Sequence, residues 1–371
     1  MARAAKGARV FFIEEPIFEE SSNGPRLASY VSPEGVTVCT PHLAAGTEPD
    51  AQEAMVRGLV DQLIRERGIN KPWCWFYSPM MLPLGEHIDA ERVIYDCMDE
   101  LSAFAGAPPG LREREARLLS RADVVFTGGQ SLFESKRGLH SNVHAFPSSV
   151  DVEHFAKSKV AHDPADQQGI PHPRVGFFGV IDERFDVQLI RELAVSRPEW
   201  QLVMLGPVVK IDPGILPRGP NLHWLGGKSY AELPQYLGGW DVAILPFALN
   251  EATRFISPTK TLEYLAAGKP VVSTAIRDVV RPYGEQGLVR IADQATFADA
   301  IASSMKQPFP AGEPAVAAML AGTSWDRTWA AMKALVVSSR SPRPSLEASH
   351  ARTTSWTSEA ATARSERSSD T

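Results

Sequence analysis

Short apolar runs alternate with amphipathic stretches along most of the chain. RVFFI (9–13) and VTVC (36–39) have the composition of buried strands. In the run 50–68, Met55, Leu59 and Leu63, with Val56, Val60 and Ile64 offset by one, make one broad apolar face, the period of a helix. WCWFY (73–77), RVIYD (92–96), DVVFTG (123–128) and NVHAFP (142–147) read as four further strands, and LREREARLLSRA (111–122) lies between two of them as a helix. Strands alternating with helices predict parallel sheets with covered faces.

Residues 156–173 are polar, Pro-containing and without period, which marks a linker after a first domain over 1–155. The rhythm then restarts. VGFFGV (175–180), WQLVMLG (200–206), NLHWLG (221–226), DVAILPF (241–247), KPVVST (269–274) and GLVRIA (287–292) predict strands. Helices are expected at 186–196, 229–238, 258–268 and 295–306, so 174–323 reads as a second, doubly wound domain with its crevice at the strand C-terminal ends. In 324–337, Trp325, Trp329, Met332 and Leu335 recur at helical spacing and predict a closing helix. The Ser/Thr/Arg-rich tail 338–371 has almost no apolar content and is expected to be disordered.

At 371 residues, 44% apolar and 22% charged, the chain has the size and core for two soluble domains. It has no apolar run of membrane-spanning length, and VFFI is too short for a signal peptide. Cys39, Cys74 and Cys97 are too few and scattered for a disulfide frame, so reduced thiols and a cytoplasmic location are expected. The net charge of −6 divides into −6 over 1–158, −1 over 159–337 and +1 in the tail, which argues against a nucleic-acid partner.

The most informative stretch is ISPTKTLEYLAAGKPVVST (256–274). Ser257 suits an N-cap and Pro258 a first helical position, so free N–H groups would point into the crevice and suit a diphosphate. Lys260 stands in the first turn, where a cation is unfavourable unless an anion binds there. Glu263 could accept a ribose diol, and Thr259 and Lys260 could offer backbone N–H groups. A solvated Lys260–Glu263 pair on a capped helix is the plainer alternative. Asn250, Glu251 and Arg254 follow a strand, with Phe255 and Ile256, and suit either a sugar pocket or a solvated loop. Arg184 suits a phosphate or a surface pair with Asp182 or Asp186. In YDCMDELSAF (95–104), Asp96, Asp99 and Glu100 form a carboxylate cluster fit for an acceptor or a general base, or for an ordinary helix start. His87 and His144 are lesser candidates, and Asp241 reads as a turn residue. No metal set stands out. Arg112, Arg114, Arg117 and Arg121 could make a weak contact with anionic lipid at the inner membrane face, but Glu113 and Glu115 among them favour a solvated face.

SPTKTLEYLAAGKPVVST resembles the donor-site signature of the GT-B glycosyltransferases, two-Rossmann-domain enzymes that use nucleotide sugars. RVGFFGVIDERFDVQLI (174–190), WQLVMLGP (200–207), NLHWLGGKSYAELPQYLGGWDVAILPF (221–247) and the closing tryptophan helix extend the resemblance, and FPSSVDVEHF (146–155) is similar to the family's hinge segment. The pattern Ser257-x-x-Lys260-x-x-Glu263 resembles the polysaccharide-assembly branch. The resemblance implies an α/β GT-B fold, two Rossmann-like doubly wound parallel-sheet domains facing a central cleft. It also implies a nucleotide-sugar donor at Ser257, Thr259, Lys260, Glu263, Gly179 and Arg184, with Asn250, Glu251 and Arg254 beside them. Departures are specific. The first Glu of the family's Glu-x7-Glu motif is replaced by Phe255, the Arg of its Arg–Lys diphosphate pair by Val180, and the hinge Asn-Gly by Ser148-Ser149.

The expected activity is therefore transfer of a sugar from a nucleoside diphosphate, UDP preferred, to a glycan or lipid-linked acceptor, with retention of configuration, in envelope or exopolysaccharide assembly. It would need no metal or other cofactor, since the helix dipole, Lys260 and Arg184 would supply the positive charge. A nucleotide-sugar 2-epimerase and a non-catalytic sugar-nucleotide-binding subunit are the rival expectations.

Overall fold

The computed structural model describes residues 1–20 and 24–339, of which 1–337 form one compact unit. The expectation for the tail therefore falls almost wholly outside the described residues. Fourteen strands are formed among the described residues: β1 Val10–Ile13, β2 Ile17–Glu19, β3 Arg26–Val31, β4 Val36–Ala44, β5 Trp73–Phe76, β6 Arg92–Cys97, β7 Val124–Thr127, β8 Val143–Ala145, β9 Arg174–Phe178, β10 Gln201–Leu205, β11 Leu222–Trp224, β12 Val242–Leu245, β13 Val271–Ser273 and β14 Arg290–Ile291.

The second half is one six-stranded parallel sheet in the order β11-β10-β9-β12-β13-β14. Counted from its own first strand this is 3-2-1-4-5-6, and the order reverses between β9 and β12, which is where such sheets open a ligand crevice. Every residue of β9 and β12 is buried, as a central parallel strand requires. Alternation then divides the core: Val175 and Phe177 pack with Leu189, Leu193 and Phe297 on one face, while Phe178 packs with Trp240, Tyr264 and Leu265 on the other. The helix Val187–Ser196 starts where the Asp186 carboxylate accepts the Leu189 N–H at 2.9 Å, a side-chain N-cap.

The first half differs from a single doubly wound sheet. It holds two four-stranded sheets. One is parallel, in the order β5-β6-β7-β8; in the other, β4 pairs in parallel with β1 and β2 and antiparallel with β3. β2 and β3 carry no sequence alternation because little covers them: Phe18, Tyr30 and Val31 are exposed. The helix Glu313–Gly322 also lies outside the sequence expectations. It is Ala-rich and buries a single residue, Val316, so it has almost no apolar stripe to read.

The stretch 156–173 is polar in sequence yet packed. Gln167 is fully buried, donating to the Tyr236 carbonyl and accepting from the Trp240 indole, and Arg174 pairs with Asp163 at 2.6 Å. The closing helix, Trp325–Ser338, returns to the first half. Met332 and Val336 pack with Ile94, Val124 and Phe126, and the Trp329 ring lies 5.9 Å from that of Trp75.

Candidate functional site

The C-terminal ends of β9 and β12 carry the segments 179–185 and 246–259. Gly179 has φ +147°, a conformation that side-chain-bearing residues rarely adopt, and a Cβ there would overlap the Lys260 side chain. The glycine thus lets the Lys260 ammonium lie against the backbone at the switch point. The helix begins at Lys260 and runs to Ala266, two residues later than the Ser-Pro pattern predicted. Pro258 and Thr259 form the turn before it, their carbonyls accepting from Thr261 and Leu262 at 3.2 Å. Thr259 is already in a helical conformation and makes no side-chain cap, so Ser257 is not the N-cap.

Lys260 and Glu263 are both partly buried, and neither makes an ion pair or side-chain hydrogen bond among the described residues. Burial lowers the Lys260 ammonium from the ordinary lysine range, with Glu263 opposing that shift and Arg184 adding to it. Burial pushes the Glu263 carboxyl up to about 7, against the pull of Lys260. Two desolvated, unpaired charged groups one helical turn apart are costly to keep.

Arg184 is held by Asp182 through Nε at 3.0 Å and Nη2 at 2.6 Å, and its guanidinium lies 5.4 Å from the Phe104 ring of the first half. Asp182 is buried, and of the two aspartates the sequence offers Arg184 it is the one that pairs. Glu183 accepts the Ala105 N–H of the first half at 3.0 Å, so the segment after β9 bridges the two halves.

The three carboxylates of the first half do not form a cluster. Asp96 is still within β6, where alternation turns it to the face of the closing helix. There it accepts the Trp75 indole N–H at 3.0 Å, and burial raises its carboxyl to about 6. Glu100 is turned to the buried Lys136, at 2.7 Å, which also pairs with Glu115 at 2.8 Å. Of the three, Asp99 is the one whose carboxyl is influenced by charges of the second half. Burial raises its carboxyl, while the charges of Arg184 and Lys260 lower it. The structure separates the three carboxylates that the sequence places together, because the strand continues one residue past Asp96.

The loop after β12 is also committed to structure. Asn250 caps the short helix Glu251–Thr253, accepting the Thr253 N–H at 3.0 Å, and donates to the Glu183 carbonyl at 2.9 Å. Glu251 and Arg254 are exposed and pair at 3.5 Å, and the Arg254 guanidinium sits 5.2 Å from the Phe255 ring. Phe255 packs against the core of the first half. His87 pairs with Asp61, His144 with Asn142, and Asp241 accepts the Arg174 N–H at 2.6 Å as a turn residue does. Arg114 pairs with Glu53, Arg117 with Glu86, and Arg121 donates to the Glu86 carbonyl. A lipid contact, the less favoured alternative for this helix, thus loses three of its four cations to internal partners.

One contact had no sequence signal. Asp278 of the second half, buried, accepts the Ser131 N–H at 3.0 Å and also its hydroxyl, at the start of the helix Gln130–Lys136 in the first half. Gly129 is required there, since a Cβ would strike Asp278 and Ser257. Arg277 and Arg281 reach Glu134 on the same helix. Among the described residues no group of three or more His, Cys, Asp or Glu is arranged to hold a metal ion, and no helix is long and apolar enough to cross a membrane.

Residues 172–307 match the family model of group 1 glycosyl transferases. Over 233 residues the chain is 30% identical to TuaH of Bacillus subtilis, named for a role as a glycosyltransferase of teichuronic acid biosynthesis. That match covers 58% of this chain and 59% of the relative. Among solved structures, the sucrose-phosphate synthase of Thermosynechococcus elongatus superposes with a TM-score of 0.65 at 15% identity, over 90% of each chain. The Anabaena protein HepE, solved in complex with UDP and glucose, does so at 0.61 and 16% identity, over 76% of this chain and 82% of its own. An E. coli trehalose-6-phosphate structure bound with UDP-2-fluoro glucose does so at 0.63 and 11%, over 90% and 94%. The resemblance read from the donor-site signature therefore holds, and the fold is that of the GT-B glycosyltransferases.

Proposed function

We propose that the protein is a cytoplasmic glycosyltransferase that moves a sugar from a nucleoside diphosphate, with UDP as the nucleotide, to a glycan or lipid-linked acceptor in cell-envelope polysaccharide assembly. The observation that carries this reading is the Lys260–Glu263 pair at the switch point, ionisable, partly buried and without hydrogen-bonded partners among the described residues. A bound nucleoside diphosphate removes that cost: phosphate oxygens meet the ammonium, and ribose hydroxyls donate to the carboxylate. The names of TuaH and HepE support the polysaccharide role and the choice of UDP.

In this reading Lys260, Arg184 and the N–H groups of Thr259 and Lys260 face the diphosphate, and Gly179 lets it approach the backbone. These groups meet the charge of the departing UDP, so no metal is required. The departing phosphate takes the acceptor's proton, the donor's configuration is retained, and Asp99 positions the acceptor hydroxyl from across the cleft. Titration calorimetry with UDP, GDP and ADP tests the core of the proposal. UDP should bind tightest, and binding by none of the three overturns it.

A second reading, a sugar-nucleotide-binding subunit without turnover, is favoured by Phe255, which packs into the first half where related retaining enzymes carry a glutamate. It predicts that UDP binds yet neither transfer nor slow donor hydrolysis is seen. Conversion of donor without acceptor would instead identify an epimerase.

A further inference from the structure

Gly128 and Gly129 of the first half are packed from both sides. The Gly128 N–H donates to the Cys97 carbonyl at 2.9 Å, and a Cβ on Gly128 would stand 2.7 Å from the Met98 carbonyl oxygen, one residue before Asp99. On the other side, a Cβ on Gly129 would stand 2.8 Å from the Ser257 Cβ, three residues before Lys260, and would overlap the Asp278 carboxylate. Two residues without side chains thus let the Asp99 segment and the Lys260 segment approach to the thickness of one turn of backbone. The polar contacts that hold the halves around this turn differ in burial. The Arg277 and Arg281 pairs with Glu134 are half-exposed, and the Glu183 bond to the Ala105 N–H is exposed, so water can replace either partner at little cost. Asp278 and Ser131 are both buried, and the carboxylate accepts the Ser131 N–H at 3.0 Å together with its hydroxyl. Removing that acceptor leaves two buried donors without a partner, which costs far more than losing an exposed pair.

We propose that Asp278 is a positioning residue: it clamps the Gly128–Gly129 turn between the Asp99 and Lys260 segments and so fixes the spacing across which acceptor and donor meet. The consequence for transfer rests on the transferase reading, and the clamp rests on the contact itself. The test is amide hydrogen exchange on the full chain, with UDP titrations alongside. Asp278→Asn should speed exchange in Gln130–Lys136 about tenfold or more, and in 98–107, whose Ala105 N–H is bonded across the halves to Glu183, about threefold or more. The helix Val187–Ser196 of the second half should be unchanged, and UDP affinity should stay within about twofold, since the groups assigned to the nucleotide do not include Asp278. Asp278→Ser and Ser131→Asp should each speed exchange in 98–107 alone, and together return it to within about twofold of the parent chain, because carboxylate and hydroxyl have changed places. If exchange in 187–196 also rises in Asp278→Asn, the fold itself is weakened, and Ser131→Ala, which removes one hydroxyl, replaces it with an expected rise of about threefold in 98–107. A rise confined to 130–136 makes the contact a local cap and overturns the proposal. So does a tenfold loss of UDP affinity in Asp278→Asn, or a double variant no better protected than its singles. If the parent chain binds no UDP, the donor reading fails, and the exchange pattern still decides the clamp.

Discussion

The two halves of this chain use the same ingredients, parallel strands followed by short polar segments, and reach different outcomes. In the second half the groups at the switch point follow strand ends of one sheet. Gly179 comes one residue after β9, and Lys260 and Glu263 stand on the helix that follows the β12 loop. In the first half the carboxylates straddle a strand end. Asp96 is inside β6 and faces the closing helix, Glu100 turns to Lys136, and of the three only the Asp99 carboxyl is influenced by the charges of Arg184 and Lys260. Density of titratable residues in sequence is therefore a weak guide to a site. Their position relative to the last paired residue of a strand is a stronger one.

If the second half concentrates the binding energy, single changes there should dominate. Lys260→Ala should weaken UDP by about 1.5–3 kcal/mol, the range of a charge-assisted hydrogen bond, with UMP less affected. Equal losses for the two nucleotides in calorimetry would place Lys260 away from the terminal phosphate. Gly179→Ala should cost about 1–3 kcal/mol of stability through backbone strain and overlap with Lys260, read as a lower denaturation midpoint together with weaker UDP binding.

The contrast sharpens with pH. The Glu263 carboxyl lies at about 7 in the folded chain against an ordinary 4.5. Between those values the folded chain holds a proton that the unfolded chain has released. This group's contribution to stability is therefore full below about 4.5 and is lost as pH rises towards 7. Ribose recognition needs the ionised form, so discrimination of UDP from its 2′-deoxy analogue should grow between pH 6 and 8, roughly one unit either side of that value. Glu263→Gln should make it flat. Asp96 behaves with the same sign, its carboxyl pushed up to about 6, but on the far face of the sheet. Asp96→Asn should remove the loss of stability that accompanies its ionisation, seen by thermal denaturation at pH 5 and 8, while UDP affinity stays unchanged. A large loss of UDP affinity there would return Asp96 to the site.

The smallest effect is expected at Asp99. Asp99→Asn should lower turnover only a few-fold, about 1 kcal/mol or less, with the donor's configuration retained in the product. Abolished turnover with inverted product and intact UDP binding would make Asp99 a general base and the mechanism inverting.

What the sequence by itself determined is local. Apolar runs bounded by turn residues mark twelve of the strands, and the period of 50–68 and 324–337 marks two helices, because burial selects side chains at each residue's own position. Lys260 and Glu263 are legible in the same way, since an i, i+3 pair at the start of a helix is set by local geometry alone. Only the tertiary structure decided partners and faces. Arg184 could have met Asp182, Asp186 or solvent, and the turn after β9 folds it onto Asp182. Asn250 could have lined a pocket, and it caps the helix beside it instead. Asp278 meets Ser131 across 147 positions of sequence, a contact created by the packing of one half on the other. Asp96 and Asp99 are three residues apart and face different regions, because the register of β6 against β7 holds the strand to Cys97 and the chain leaves the sheet only after it.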